Sequence, residues 1–527
     1  MSDRQRVAVV TGGGGGIGAA IAESLGRTGA FVVTVDPLVS VDGSEQLPQP
    51  EETTAGRIVA AGGAARESGV SVTDEPAVRR LFQGLAEEFG GLDVVVNVAG
   101  ISRPTSFMKG SDDDWLSVLS VHLNGYRNVL GAALPLMAAA GRGHILGVTS
   151  GSGWRSADAG AYGCAKRAVA ALTWQLGRRA PAGVVLNAIS PIAATRMVAA
   201  ALGNAQQTSR AATGGLALGS MPAPEHLGPL GVHLVQDTFT SCQGRVLFVG
   251  GSEVAVIDEP RLIEVVRSDD VPSLPLLLEV ANSAALAPAE AHQVSGGGSN
   301  NRFGSIFDEA PADNLSAATA GSVAVIADRP QVAAAVKAAL EARGVTSRSI
   351  DDPAALADLD QLEAVVVALS GGSPAGDATA DWERILSEHD GIVDQIHADA
   401  QWARAVAEVA TSREQPIRLV MITEATTAGG RSRAQASAQL TRAGRKATGD
   451  LVPSFAISAE SDDVPAELAA HLACSPAAGG LAGAELVAGA GWFGLRSHPR
   501  PIGSISFGGP SVPPWFDDTL RELVQQR

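Results

Sequence analysis

The chain is predicted to be α/β, with two tandem doubly wound parallel sheets, the second a degenerate copy of the first. Three observations predict this. Short branched-apolar runs alternate with helical patterns at the spacing of βαβ units. A run of glycines follows the first of them, and the same order of runs and helices returns after residue 320.

In the first half, the apolar run at 7–11 is followed by five glycines and a small-residue helix ending near Gly29, which reads as strand, tight turn, helix. The run at 31–36 is the second strand, close enough to make one βαβ unit with the first. Residues 38–57 are polar and contain Pro and Gly, so they are expected to be a surface insertion. A helix is then expected over 76–88, a strand over 92–100, one long helix from about 112 to 139, and a strand over 144–150. A helix over 160–178 and strands over 184–190 and 245–251 complete a domain placed at 1–268. Residues 269–320 form a linker or packing arm, rich in Ala, Ser and Pro towards its end. The second domain is placed at 321–527. There the runs at 322–330, 362–370, 418–425 and 452–458 echo those at 6–14, 92–100, 144–151 and 184–190, and Trp382 answers Trp115.

Charge and cysteine content exclude several classes. Fifty-six acidic against 39 basic residues give a formal charge of -17, which disfavours nucleic acid or an anionic membrane as partner. Cys164, Cys242 and Cys474 are far apart with no CxxC spacing, so neither a disulfide framework nor a metal site is expected. The N-terminus lacks an apolar leader, and no stretch stays apolar for the roughly 20 residues that span a bilayer. No membrane insertion and a cytoplasmic location are expected.

The first turn reads Thr11, Gly12, Gly13, Gly14, Gly15, Gly16, Ile17, Gly18. Glycines there allow positive φ and let backbone N–H groups approach a pyrophosphate at a helix N-terminus. Asp36 closes the second strand, where a carboxylate accepts from a ribose diol and repels a 2′-phosphate, favouring NAD over NADP. Its other reading is a strand cap before Pro37. Tyr162 and Lys166 are four apart on a helix and therefore share a face. Tyr126 is the only other tyrosine. A nearby ammonium favours the phenolate, which suits Tyr162 to proton transfer. Ser150, at the end of the preceding strand, is positioned to hydrogen-bond a substrate oxygen, with Ser152 as its rival.

Across residues 5–255 the chain resembles the short-chain dehydrogenase/reductase family. The resemblance is carried by the glycine turn, Asp36, Asn-Val-Ala-Gly at 97–100, Ser150, the Tyr162–Lys166 pair and the segment 187–197. It implies a Rossmann-like fold. It also implies Tyr162 as acid/base, Lys166 holding the nicotinamide ribose as well, and Ser150 orienting the carbonyl. Asp74 is implied on the adenine side, Asn97, Ala99 and Gly100 along the cofactor, Pro191 and Ile192 near the nicotinamide, and Thr195 at its carboxamide. Departures from the family pattern are visible. His122 stands where the family has a relay asparagine, with Asn124 two residues on; valine replaces one asparagine of the 97–100 motif, and Ile192 replaces a glycine. Ser150 is twelve residues before Tyr162, one fewer than usual. His122 is read either as holding a relay water or as packing its helix, and its protonation would add pH dependence near neutrality.

The segment 121–125 and the long loop after the second strand resemble the dehydrogenase units of multifunctional β-oxidation enzymes, which implies a 3-hydroxyacyl thioester substrate. Residues 196–222, small and apolar, are expected to form a lid suited to an apolar alcohol, ketone or acyl chain. The expected function is NAD-dependent interconversion of a secondary alcohol and a ketone. A steroid or other apolar-alcohol dehydrogenase and a non-enzymatic NAD-binding scaffold are the alternatives. In the second half Gln435 replaces Tyr162, Gln439 replaces Lys166, Glu424 faces Ser150, and Ala-Asp-Arg-Pro at 327–330 replaces the glycine turn, so neither cofactor nor catalysis is expected there. Family members pair through the helices equivalent here to 382–408 and 432–447. The resemblance therefore implies an internal pseudo-dimer, with two such chains forming a homodimer.

Overall fold

The computed structural model describes residues 4–155, 158–199, 221–269, 271–293, 321–371 and 378–525. The expected lid lies mostly outside them, at 200–220, as does 294–320 of the expected linker. In chain order the strands of the first half are β1 (Val7–Thr11), β2 (Phe31–Val35), β3 (Ala64–Ser68), β4 (Val94–Asn97), β5 (Gly143–Val148), β6 (Val184–Pro191), β7 (Val246–Gly250), β8 (Glu253–Ile257) and β9 (Leu262–Arg267). Those of the second half are β10 (Ser322–Ala327), β11 (Thr346–Ser349), β12 (Ala364–Ala368), β13 (Arg418–Glu424), β14 (Ser454–Ala459), β15 (Glu485–Gly489), β16 (Trp492–Arg496) and β17 (Pro501–Ser506). They form two sheets, as the sequence predicts.

The first sheet has the order β17-β8-β7-β6-β5-β4-β1-β2-β3 and the second β11-β10-β12-β13-β14-β15-β16-β9. Strands β1 to β7 are parallel within the first sheet and β10 to β15 within the second; the outer strands turn antiparallel. Buried valines fill the central strands because both faces are covered by helices.

Two strands cross the expected domain boundaries. β9, read with 1–268, pairs with β16 at the edge of the second sheet, and β17, read with 321–527, pairs with β8 at the edge of the first. Each half thus supplies an edge strand to the other, which satisfies a row of N–H and C=O groups that would otherwise be bare. After β17, the helix Phe516–Gln525 buries Phe516 and Leu520 in the core of the first half. The arm also has a definite seat, with Leu278, Ala281 and Leu286 joining the core of the second half.

The first half carries helices α1 (Gly16–Arg27), α2 (Thr54–Ala60), α3 (Glu75–Phe89), α4 (Asp112–Leu119), α5 (Gly125–Ala140) and α6 (Gly160–Gly177). The long helix expected from 112 to 139 is interrupted. A π-helical turn at Ser120–Asn124 separates α4 from α5 and sets His122 at the break. Ser111 opens α4 with a capping box, its Oγ accepting from Asp114 N at 3.2 Å while Asp114 accepts from Ser111 N at 3.0 Å.

Helix α6 packs along the helix Ala428–Thr448, and α4 along Ile392–Arg413. One apolar cluster runs through Val129 and Leu172 of the first half to Val406 and Leu440 of the second. Phe107 lies so close to Gly444 that a Cβ there would stand 2.9 Å from the ring. Polar fastenings rim the seam. Arg404 sits 5.3 Å over the Trp115 ring and donates to Asp112 at 3.1 Å, and Arg127 donates to the Leu386 carbonyl at 3.1 Å.

Because strands are exchanged and the core is shared, the two halves should melt together. Calorimetry of the full chain is expected to give one transition; two resolved transitions would contradict the coupling. Deleting residues 499–527 bares β8 and removes Phe516 and Leu520. It should lower the melting midpoint by about 5 °C or more, given about 5 kcal/mol for two core side chains spread over one unit of 527 residues.

Candidate active site

The glycine turn sits at the carboxyl ends of β1, β2 and β4. Gly12 has φ +65°, and a Cβ there would come within 2.8 Å of Ala99 N; at Gly14 it would meet Asp36 Oδ2 at 2.7 Å. Only bare backbone fits between these strands. Asp36 accepts from Gly14 N at 3.0 Å and Leu38 N at 2.9 Å, so its carboxylate stands at the lip of the turn. The Thr11 hydroxyl ties the turn to β4, donating to Asn97 Oδ1 at 2.8 Å and accepting from Ala99 N at 3.3 Å. Gly15, Gly16, Ile17 and Gly18 lead into α1, whose first-turn N–H groups face this cleft. Thr195 lies 3.6 Å from a Cβ placed on Gly16 and accepts from Val198 N at 3.2 Å. Pro191 ends β6, and Ile192 continues its pairing through Val249. Asp74 caps α3, accepting from Ala77 N at 3.0 Å. This cradle fits a nicotinamide dinucleotide: a bare turn, a helix N-terminus and a carboxylate at the second strand.

Beside the cradle lie the reactive side chains. Ser150 caps the short 3-10 turn Gly151–Gly153, its Oγ accepting from Ser152 N at 3.3 Å, and stands near enough to Tyr162 to draw the phenol's titration down. Ser152 instead faces Arg155, with Nη2 3.5 Å away. Lys166 lies on the same face of α6, its Nζ 5.7 Å from the Tyr162 ring centre and donating to the Val148 carbonyl at 2.7 Å. Burial raises the Tyr162 phenol above its usual value, against the pull of Ser150 and the Arg155 cation. Burial pulls the Lys166 ammonium down to about 7. A phenolate and an ammonium so close therefore stabilise one another.

His122 packs edge-on to Tyr162, ring centres 5.0 Å apart, and its Nε2 hydrogen-bonds the Ile101 carbonyl at 2.8 Å. Its Nδ1 is buried with no protein partner among the described residues. Burial, helped by Lys166, pushes His122 down to about 3 although the Ile101 carbonyl opposes this. The expected pH dependence near neutrality is therefore corrected: the ring is neutral throughout that range. Asn124 belongs to the same π-turn.

Two basic residues escaped the sequence reading. Arg155 lies in the turn between Ser150 and Tyr162, and Arg196 places Nη2 3.3 Å from where a Cβ of Gly15 would be. Arg196 directly follows Thr195 in an otherwise apolar segment, which was the available signal.

The short chain dehydrogenase family model matches residues 6–205. The short-chain reductase protein NovJ of Streptomyces niveus is 38% identical over 197 residues, covering 37% of this chain and 72% of NovJ. The chain belongs to the short-chain dehydrogenase family. This short-chain dehydrogenase is accordingly a nicotinamide-dinucleotide oxidoreductase. It is 34% identical over 256 residues to the cis-4-hydroxycyclohexanecarboxylate dehydrogenase of Sinomonas cyclohexanicum, covering 48% of this chain and 98% of that one. It is 31% identical over 252 residues to the peroxisomal hydratase-dehydrogenase-epimerase of Neurospora crassa, covering 47% of this chain but only 26% of that enzyme. The N-domain of a bacterial malonyl-CoA reductase matches at a TM-score of 0.63 and 16% identity, covering 89% of this chain and 95% of that one, so the two-unit fold is shared. The cytoplasmic placement is overturned by these relatives. The Neurospora protein and similar enzymes of Dictyostelium discoideum and Saccharomyces cerevisiae are named as peroxisomal.

The neutral state of His122 gives a direct expectation. Turnover of His122→Asn and of the native short-chain dehydrogenase should follow superimposable pH profiles between about pH 5.5 and 8.5. An inflection near the ordinary imidazole value of 6.5, present only in the native protein, would contradict it.

Proposed function

We propose that the first half interconverts a secondary alcohol and a ketone with NAD, and that Tyr162 is the proton-transfer group. The observation that carries this is the Lys166 ammonium 5.7 Å from the Tyr162 ring, with Ser150 near that phenol and the glycine cradle beside them. In oxidation the Tyr162 phenolate takes the hydroxyl proton, Ser150 hydrogen-bonds the same oxygen, and Lys166 stabilises the phenolate. When bound, the nicotinamide supplies the acceptor for the hydride that leaves the carbon. Thr11, Gly12, Gly14, Asn97, Ala99, Gly100, Pro191, Ile192 and Thr195 would hold it, with Asp74 on the adenine side. His122, neutral and with a free Nδ1, is suited to hold a water behind Tyr162.

The substrate read first is a 3-hydroxyacyl thioester, from the resemblance of segment 121–125 and from relatives whose names join a hydratase to a dehydrogenase. An apolar or alicyclic alcohol is the second reading, favoured by the Sinomonas relative, whose name carries a ring and a carboxylate, and by Arg155 beside Tyr162. The seam between α6 and the helix Ala428–Thr448 supports reading the chain as an internal pseudo-dimer. Exposed Leu262, Ile263, Val265, Leu276 and Val280 support pairing of two chains.

Tyr162→Phe should keep cofactor affinity within about twofold and lose about 100-fold or more in turnover, measured on a panel of a 3-hydroxyacyl-CoA, a hydroxysteroid and 4-hydroxycyclohexanecarboxylate. Near-native turnover would remove the role of Tyr162, and cofactor binding without turnover on the whole panel would favour a scaffold. Titration should find NAD bound at least about tenfold more tightly than NADP, a preference that Asp36→Ala reduces; tighter NADP binding would reverse the reading of Asp36.

A further inference from the structure

Gln435 and Gln439 stand in the second half where Tyr162 and Lys166 stand in the first, and both side chains reach across the seam into the first half. Gln439 Nε2 donates to the Ser152 and Arg155 carbonyls, each at 3.0 Å. These lie within the turn that leaves Ser150, where Ser152 N donates to Ser150 Oγ at 3.3 Å and Gly153 N to the Ser150 carbonyl at 2.9 Å. On its other side Gln439 reaches the residue after Tyr162, because a Cβ on Gly163 would lie 3.4 Å from its Cγ. Gln435 Oε1 accepts from Arg167 Nε at 2.7 Å, directly after Lys166, and Arg167 is further held by the buried Glu485. One amide thus bridges the turn carrying Ser150 and Arg155 and the helix carrying Tyr162.

We propose that Gln439 is a positioning residue of the first-half active site, holding the Ser150–Arg155 turn so that both side chains stay against the Tyr162 hydroxyl. The degenerate half then contributes to proton transfer without touching substrate. An amide suits this place. It supplies two donors without charge, whereas the lysine found at the matching position of the first half would set another cation near Arg155 and Arg167 in a dry seam. The inference rests on reading Tyr162 as the proton-transfer group.

The test uses the full chain carrying Gln439→Met, which keeps length and packing but removes both donors, and Gln439→Glu, which opposes a carboxylate to two carbonyls. Tyrosinate absorbance is followed as pH is raised. Tyr126, pushed by burial to about 12, is the only other tyrosine, so the step lost in Tyr162→Phe belongs to Tyr162. The groups facing that phenol are Ser150, Arg155, Lys166 and His122.

In Gln439→Met the Tyr162 step should rise by about 0.5 pH unit or more, and further in Gln439→Glu. The kcat for NAD-dependent oxidation of 3-hydroxybutyryl-CoA should fall about tenfold with KM changed less than about twofold. An unchanged step and unchanged kcat in both variants, even with a lowered melting midpoint, would reduce Gln439 to a fastening between halves and overturn the proposal. If the native chain does not oxidise the thioester but the Tyr162 step still shifts, the substrate reading fails and the positioning role stands.

Discussion

Helix α6 has to serve two surfaces at once. It presents Tyr162 and Lys166 to the cofactor cleft, yet of its residues from Gly160 to Gly177 only Tyr162 escapes full burial. A helix so poor in polar surface cannot face water, and the helix Ala428–Thr448 provides the cover. Gly163 lets Gln439 come close, and Ala168 of α6 shares one apolar cluster with Ala436, Leu440 and Ala443 of that helix. Polar groups trapped there must be paired. Arg167 with Glu485 and Gln435, and Gln175 with Ser432 at 2.9 Å, meet this demand across the seam. Burial alone would raise the Glu485 carboxyl, but Arg167 and His498 bring it down to about 2. Its contribution is therefore complete above the ordinary carboxyl value of 4.5 and is lost as pH falls towards 2. Removing one member of such a pair costs about 3–5 kcal/mol, so the seam fixes one register between the halves.

The exchanged strands fasten one outer edge of each sheet. β9 and β17 each leave the half in which they begin and close the sheet of the other, and the two crossings run side by side, with Asp258 N donating to the Arg500 carbonyl at 2.9 Å and Ser497 N to the Arg261 carbonyl at 2.7 Å. The turn Gly151–Gly153 is held in part from 287 positions later, where Gln439 Nε2 donates to the Ser152 carbonyl. That dependence is physical, not sequential. Carbonyls of a tight turn have few partners within their own half, and the amide donor that reaches them comes from the facing helix.

How much of this was legible follows from what each signal encodes. Apolar period and glycine spacing located β1, β2 and β4 to β7 and, in the second half, β10, β12, β13 and β14, each end to within about three residues, because burial on both sheet faces writes itself as a run of Val and Ile. β3 was missed, since Ala-Ala-Arg-Glu-Ser lies at an edge and carries no such run. β8, β9, β11, β16 and β17 were missed as well, lying at or next to sheet edges where pairing is set by partners distant in sequence. The Ser150–Tyr162–Lys166 arrangement was readable from spacing on one helix and one strand end. The π-turn that seats His122, and the burial that keeps it neutral, depend on packing by Gly100 and Tyr162 and leave no local trace.

The second half shows what became of the same geometry without reactive groups. A glycine follows the fourth strand of the first sheet and its counterpart β12: a Cβ on Gly100 would lie 2.3 Å from His122, and one on Gly371 would lie 2.2 Å from Arg433. An aromatic ring beside Tyr162 in one half is thus matched by a guanidinium in the other, which grips Asp399 with two nitrogens and donates to the Ser370 carbonyl at 3.0 Å. Asp328, at the position of the glycine turn, accepts from Ser370 N at 2.8 Å, and Arg329 pairs with Glu424 at 3.3 Å. Charges that satisfy one another thus occupy the strand ends with the protein's own groups. The other face of its helix is where this half meets the first, Gln435 accepting from Arg167 and Gln439 donating to the turn after Ser150.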